Sequence, residues 1–494
     1  MKLTPELIKK VQARWKGDPS FLGFPDAERD TAESDWFDHL LVQPNWFVPA
    51  LQKKTTLIVG RKGVGKTAAR IAATRQLQKN DKTIVVDVSA DELVSPHSES
   101  LQKAVEHGFG SIAEWRQVFA DAIVRKIARD LTGKVITKDD DQIIRKWATM
   151  EGVSERDFGE RIASAMSSVV PWARKILREN SDAKMTDARI QRIVEARSFA
   201  LYVDDFDNIQ ERRSIATLRV IRDAVEAADR ITHQNNTASV HLLMRQDLWL
   251  RIWPGWHYAD KVAGLSMLTW SQDDLGKWAD RRLRHAAAVA LKCDPRSLEG
   301  GSGDFWAIFF PGDIKLRNEK ESTGIHYLVR RTMYTPRGLH RFMSLIVRNA
   351  KRLPADLRDV EDAEEEFSSD QLEFLKTEFS GLCEGLGICL QSFTGKPLEM
   401  RATDLYKHLK GLQGTGQVRL ASGASDGDDA IALAHFLFRI GFLEVRYPEE
   451  GRYEVRDAMR HPDHWKAIRK DDAVRWAVRS AFYCALRSHN NPLS

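Results

Sequence analysis

Cysteine is scarce in this 494-residue chain: Cys293, Cys383, Cys389 and Cys484 are scattered, with no CxxC spacing. That argues against a disulfide framework or a zinc site and leads us to expect a reduced, cytoplasmic protein. Long apolar runs are also missing. None approaches the roughly 20 residues that span a bilayer, and Met1–Glu6 lacks the apolar segment of a secretory signal. No membrane partner is expected. Charge of one sign is lacking too, since 75 Lys and Arg stand against 70 Asp and Glu, a net charge of +5. Nucleic acid is permitted as a partner, but the case must come from local patches. There is no internal repeat, and no nuclease, protease, TIR or deaminase signature is legible.

What is present is the composition of a globular protein, 43% hydrophobic and 29% charged, in a chain too long for one core. Two or three domains are expected. Residues 1–45 read as an N-terminal helical segment ending in a stretch that packs against the first strand. Thr55–Val59 is short, β-branched and apolar, and Gly60 closes it, as in a buried parallel strand. Helix-forming residues follow from Thr67 to Leu77, then a second apolar run, Thr83–Val88. Strand, glycine-rich turn, helix, strand is a βαβ unit. Helical patterns fill about 112–197, at Ile112–Leu131, Asp139–Met150, Glu155–Glu179 and Asp187–Arg197. Strand signals return at Phe199–Val203 and Ser239–Met244, flanking an amphipathic helix from Arg213 to Arg230.

The expected fold is therefore α/β. A parallel sheet of the P-loop NTPase type spans 46–267, with a helical insertion at about 112–197. A helical lid at 268–353 follows, then an acidic linker at 354–369. The linker's alternative is a solvated helix face. Residues 370–494 hold helices near Asp370–Leu386, Arg401–Lys410 and Asp428–Ile440, then alternating runs at Gly441–Arg446 and Arg452–Arg456 joined by turn chemistry. Helices followed by a hairpin make the outline of a winged helix.

Four pieces carry chemistry. Gly60, Arg61, Lys62, Gly63, Val64, Gly65, Lys66 and Thr67 match G-x-x-x-x-G-K-T in full, after a strand and before a helix. Glycines let backbone N–H groups turn inward around phosphates, and the helix N-terminus favours negative charge. Lys66 is expected to reach the β- and γ-phosphates of ATP, and the Thr67 hydroxyl to ligate Mg2+. Second, Leu201–Val203 ends in Asp204, Asp205, Phe206 and Asp207. Carboxylates at that sheet edge suit Asp204 to hold magnesium and Asp205 to polarise the attacking water, with Asp207 in support. The alternative is that these acids cap a helix. Asp205 stands where Glu is commoner, so slow hydrolysis is expected. Third, Arg245 at the end of the Ser239–Met244 run is placed to reach a γ-phosphate, or is a surface arginine. Fourth, Pro336 is expected to open a helix and hold Arg337 near its N-terminus.

With these pieces in order, the chain resembles the AAA+/STAND superclass of P-loop ATPases, nearest to bacterial origin-recognition-like and KAP-like groups. The matching residues are 60–67, Asp204–Asp207, Met244–Asp247 and Thr335–Leu339, and Leu268–Leu275 is similar to the segment leading into the lid helices. The resemblance covers about 40–350. It implies sensor roles for Arg245 and Arg337 and a homo-oligomer with an arginine finger, for which Arg281, Arg282 and Arg284 are candidates. Two functions follow from it. One is a nucleotide-dependent switch or assembly factor contacting DNA through the winged helix, where nine Lys or Arg face five Asp or Glu from Arg452 to Ser494. The other is a STAND-like defence ATPase that oligomerises with ATP and controls a separate effector protein.

Overall fold

The computed structural model describes residues 1–32, 40–50, 52–79, 83–94, 101, 111–132, 198–206, 215–234, 236–253, 256–262, 264–315, 322–421, 429–449, 452–461, 464–468 and 473–486. The expected helices at Asp139–Met150, Glu155–Glu179 and Asp187–Arg197 lie outside these residues, as does Asp207. The chain divides into two compact units. A sheet unit comprises Asn45–Lys62 and Lys66–Leu268, and a second unit comprises Met1–Pro44, Gly63–Gly65 and Thr269–Ser494.

In the sheet unit, β1 (Leu57–Gly60), β2 (Thr83–Ser89), β3 (Ser198–Asp204), β4 (Ala238–Arg245) and β5 (Leu265–Met267) form an all-parallel sheet in the order β2-β3-β4-β1-β5. The α/β class with a parallel sheet is thus correct. β1, β3 and β4 are almost wholly buried because helices cover both faces, which is why their sequences are continuous apolar runs rather than alternating ones. The helix Ile215–Gln234 turns Ile221, Ala224, Val225, Ala228 and Ile231 inward at three- and four-residue spacing, and Ile112–Thr132 adds Trp115, Phe119 and Ile123 to the same core. β5 is not evident in the sequence. Its three residues, Leu-Ser-Met, give no periodicity to read.

In the second unit, the N-terminal helix Pro5–Trp15 packs on the helix Gln272–Leu291, with the Trp15 indole N–H donating to the Ala286 carbonyl at 3.0 Å. Ser271 caps Gln272–Leu291, and Thr335 caps Pro336–Asn349, whose first residue is Pro336. The acidic stretch expected as a linker at 354–369 is instead its alternative, a helix with a solvated face. Residues Leu357–Phe379 form one helix with Asp356 at its N-cap and Val360, Ala363, Glu364 and Phe367 buried on one face. Two short ribbons, β6 (Asp313–Ile314) with β7 (Ser322–Thr323) and β8 (Cys383–Glu384) with β10 (Arg419–Leu420), decorate this unit. A four-stranded antiparallel sheet runs β12 (Arg452–Arg456), β11 (Leu443–Glu449), β13 (Arg475–Val478), β9 (Glu399–Arg401). The hairpin expected near 441–456 is β11–β12. Among the described residues, no helix is long and apolar enough to cross a membrane.

Candidate functional site

Because the sheet is parallel, its carboxyl edge gathers the ends of β1, β3 and β4. Gly60 is level with Arg245 on β4, and Asp204 closes β3. The loop after β1 turns through Gly63 at φ +80° and Gly65 at φ +104°, conformations natural to glycine, and the helix Lys66–Gln78 starts at once. The Lys66 ammonium donates back to the Gly60 and Arg61 carbonyls at 3.0 and 3.3 Å. Its charge is thereby held inside the loop. Arg61 is buried and Lys62 exposed.

Thr67 and Asp204 are 137 residues apart and meet: the Thr67 hydroxyl donates to Asp204 Oδ2 at 3.0 Å. The same oxygen lies 3.1 Å from Arg70 Nε, while Oδ1 accepts the Asp205 backbone N–H at 2.9 Å. Arg70 also pairs with Asp87 of β2 through Nη1. One arginine thus ties carboxylates of two neighbouring strands to the loop helix. Sequence reasoning misses both Arg70 and Asp87, although signals exist. Arg70 follows Thr67 by three residues and so shares its helix face, and Asp87 is a lone acid in an apolar run.

Asp205 takes φ +52° between buried Asp204 and buried Phe206, and is itself exposed. Asp tolerates this left-handed conformation better than most residues. Asp205 stands at the edge where the strands end. Arg245 is gripped by its own neighbour: Nε and Nη2 donate to the two oxygens of Asp247 at 2.9 and 3.2 Å. A phosphate drawing on Arg245 would have to compete with that bidentate pair.

No protein-family model matches this chain, and no curated protein matches it.

The loop tip has its own supports within the second unit. The buried Trp270 indole N–H donates to the Val64 carbonyl at 2.7 Å. The Arg337 backbone N–H donates to the Gly63 carbonyl at 3.3 Å, and its Nε to the Pro25 carbonyl at 3.4 Å. A Cβ added to Gly63 would meet Arg337 Cβ at 2.7 Å, so glycine is required there twice, by conformation and by contact. Trp270 lies in the segment singled out from the sequence, but its partner is 206 residues away and could not be read.

Three candidate arginine fingers are accounted for differently. Arg282 is buried, paired with Asp30 and donating to the Leu22 carbonyl. That makes it a structural residue and removes it as a finger. Arg281 donates to the Leu41 carbonyl, and Arg284 to those of Leu298 and Gly300 at 3.1 and 3.0 Å.

The Thr67 hydroxyl and Asp204 carboxylate are hard oxygen donors placed side by side, a set that suits a small divalent cation. Among the described residues, no cluster of three or more His, Cys, Asp or Glu offers another metal site.

Proposed function

We propose that this chain binds ATP with Mg2+ in the Gly60–Thr67 loop and hydrolyses it slowly, as a nucleotide-dependent switch of the AAA+/STAND kind. The observation that carries the reading is the 3.0 Å contact of Thr67 with Asp204, which joins a glycine-rich phosphate cradle to an acid at the end of a parallel strand. Thr67 and Asp204 would hold the metal, whose role is to neutralise phosphate charge. Lys66, now turned on its own loop carbonyls, exchanges them for phosphate oxygens. Asp205, exposed at the strand ends, accepts a hydrogen bond from the attacking water and orients it. A shorter acid than Glu, reaching from a constrained turn, fits slow turnover. Arg245 senses the γ-phosphate from the end of β4, and Arg337 is assigned a sensor role by its motif alone. Arg337 links the loop to the helix Pro336–Asn349, so a change at Gly63 is passed to that helix.

Equilibrium binding of a fluorescent ATP analogue with magnesium, beside phosphate release, tests this. Wild type is expected to bind and to release phosphate, and Lys66→Ala to lose binding at least tenfold. If wild type binds no ATP, or Lys66→Ala binds it as tightly, the proposal fails.

A further inference from the structure

The antiparallel sheet of the second unit carries a feature that the nucleotide site does not use. Register sets Arg475 of β13 opposite Arg401 of β9 on one side and opposite Arg446 of β11 on the other. Paired residues share a face, so three guanidinium groups stand in one row across three strands. Like charges directly opposite one another destabilise a sheet unless something negative lies between them. Arg446 has its own acids, Glu399 at 2.8 Å and Glu444 at 2.8 Å. Among the described residues, Arg401 and Arg475 have none.

These two arginines line an open cavity of about 550 Å³ together with Lys396, Asp404, His408 and Tyr453. His408 brings no charge. It bonds Ser392 Oγ at 2.9 Å, and burial together with nearby Lys396 lowers its pKa. Glu399, also at the wall, is engaged by Arg446. Counting Arg446 with both of its acids, Lys396, Arg401, Arg446 and Arg475 stand against Glu399, Asp404 and Glu444, which leaves the positive side ahead by one charge. That modest positive balance suits a singly charged phosphodiester better than a di- or triphosphate, which the acids would repel. Tyr453 is 48% exposed, and among the described residues its ring stacks on no other. An exposed aromatic beside paired arginines is the combination that holds an unpaired base and its phosphate. A duplex offers its phosphates but not a free base face.

We propose that this cavity binds a single-stranded nucleic acid, with a backbone phosphate between Arg401 and Arg475 and a base stacked on Tyr453. The site is separate from the loop at 60–67 and does not depend on ATP.

The test is fluorescence anisotropy of the full chain with labelled dT12, U12 and a 12-base-pair duplex at 50 and 200 mM salt. Wild type is expected to bind a single strand more tightly than the duplex, and the dT12 and U12 arms show which sugar is preferred. The double variant Arg401→Gln/Arg475→Gln should bind at least tenfold more weakly. Its log–log salt dependence should flatten by about 0.7 for each phosphate that is no longer neutralised. Tyr453→Ala should weaken binding at least fivefold with the salt slope unchanged, because stacking releases no counterions. Lys66→Ala should bind as wild type does, which separates this site from the nucleotide site. The double variant should unfold at no lower temperature than wild type, since it removes a repulsion. Absence of binding to either single strand at 50 mM salt, tighter binding to the duplex, undiminished binding by the double variant, or a lowered unfolding temperature would each overturn the proposal.

Discussion

Two buried carboxylates in this chain have nearly the same partners and opposite meanings. Glu364, in the second unit, accepts Arg331 Nε at 2.6 Å and the Tyr327 hydroxyl at 2.6 Å, with the guanidinium lying over the Tyr327 ring. Asp204, in the sheet unit, has Arg70 and the Thr67 hydroxyl. An arginine and a hydroxyl on a buried acid therefore do not mark a site by themselves. Position does. Glu364 and Arg331 lie between helices, each side chain 2% exposed, where breaking the pair would strand a charge. Asp204 ends a parallel strand beside the glycine-rich loop for which we propose phosphate binding.

The contrast can be broken most forcefully at Glu364. Glu364→Leu leaves the buried Arg331 without its counter-charge and is expected to cost about 3–5 kcal/mol in urea denaturation. If the loss were under ~1 kcal/mol, the pair would not be a closed structural unit. Asp204→Asn should behave in the opposite way. Phosphate release is expected to fall roughly 100- to 1,000-fold, as when one electrostatic group of a catalytic site is removed, while stability moves by less than ~1 kcal/mol. An equal loss of stability in both variants would erase the distinction.

Each unit also holds a neutral buried histidine, and here the two should agree. Burial lowers His241, stacked on Tyr202, to about 4, and lowers His340, beside Arg282 and Arg337, to about 3. The unfolded chain takes up these protons near pH 6.5 and the folded chain does not, so each histidine's contribution to stability is intact above that pH. It is lost as pH falls from 6.5 towards those lowered values. Between pH 7 and 5, each should remove about 2 kcal/mol. Urea midpoints compared at pH 7 and pH 5 measure this, and His241→Phe should make the acid slope shallower by one proton.

The smallest effect sharpens the picture of the loop. Trp270→Phe keeps the ring and removes the donor to Val64, a loss of about 1 kcal/mol, and should weaken ATP binding about fivefold by the same fluorescence measurement. Unchanged affinity would mean that the loop tip holds its shape without the tryptophan.

Legibility follows distance along the chain. The phosphate-type loop is contiguous, and its glycines announce the turn, so each of its residues can be named from the sequence. Asp204 is visible as an acid closing an apolar run. The grip of Asp247 on Arg245 is an exception: the two are only two residues apart, yet no local pattern says that the arginine turns to its neighbour rather than to the strand ends. The acidic stretch misleads because Val360, Ala363 and Phe367, spaced for one helix face, are outnumbered by the charges between them. Trp270 on Val64 and Arg401 opposite Arg475 depend on tertiary pairing and strand register, which no local pattern encodes.

The supports of Val64 and Gly63 have a consequence for how this protein is made. The strand and helix that frame the loop are complete once β5 has been synthesised, at Met267. The tip, however, waits for Trp270 and then for Arg337. At ribosomal speeds of roughly 5–20 residues per second, that leaves the tip without its last partner for tens of seconds after Gly63 emerges. A nascent chain has its sheet before its loop tip has both supports, so under the proposed function nucleotide capture would belong to the last third of synthesis.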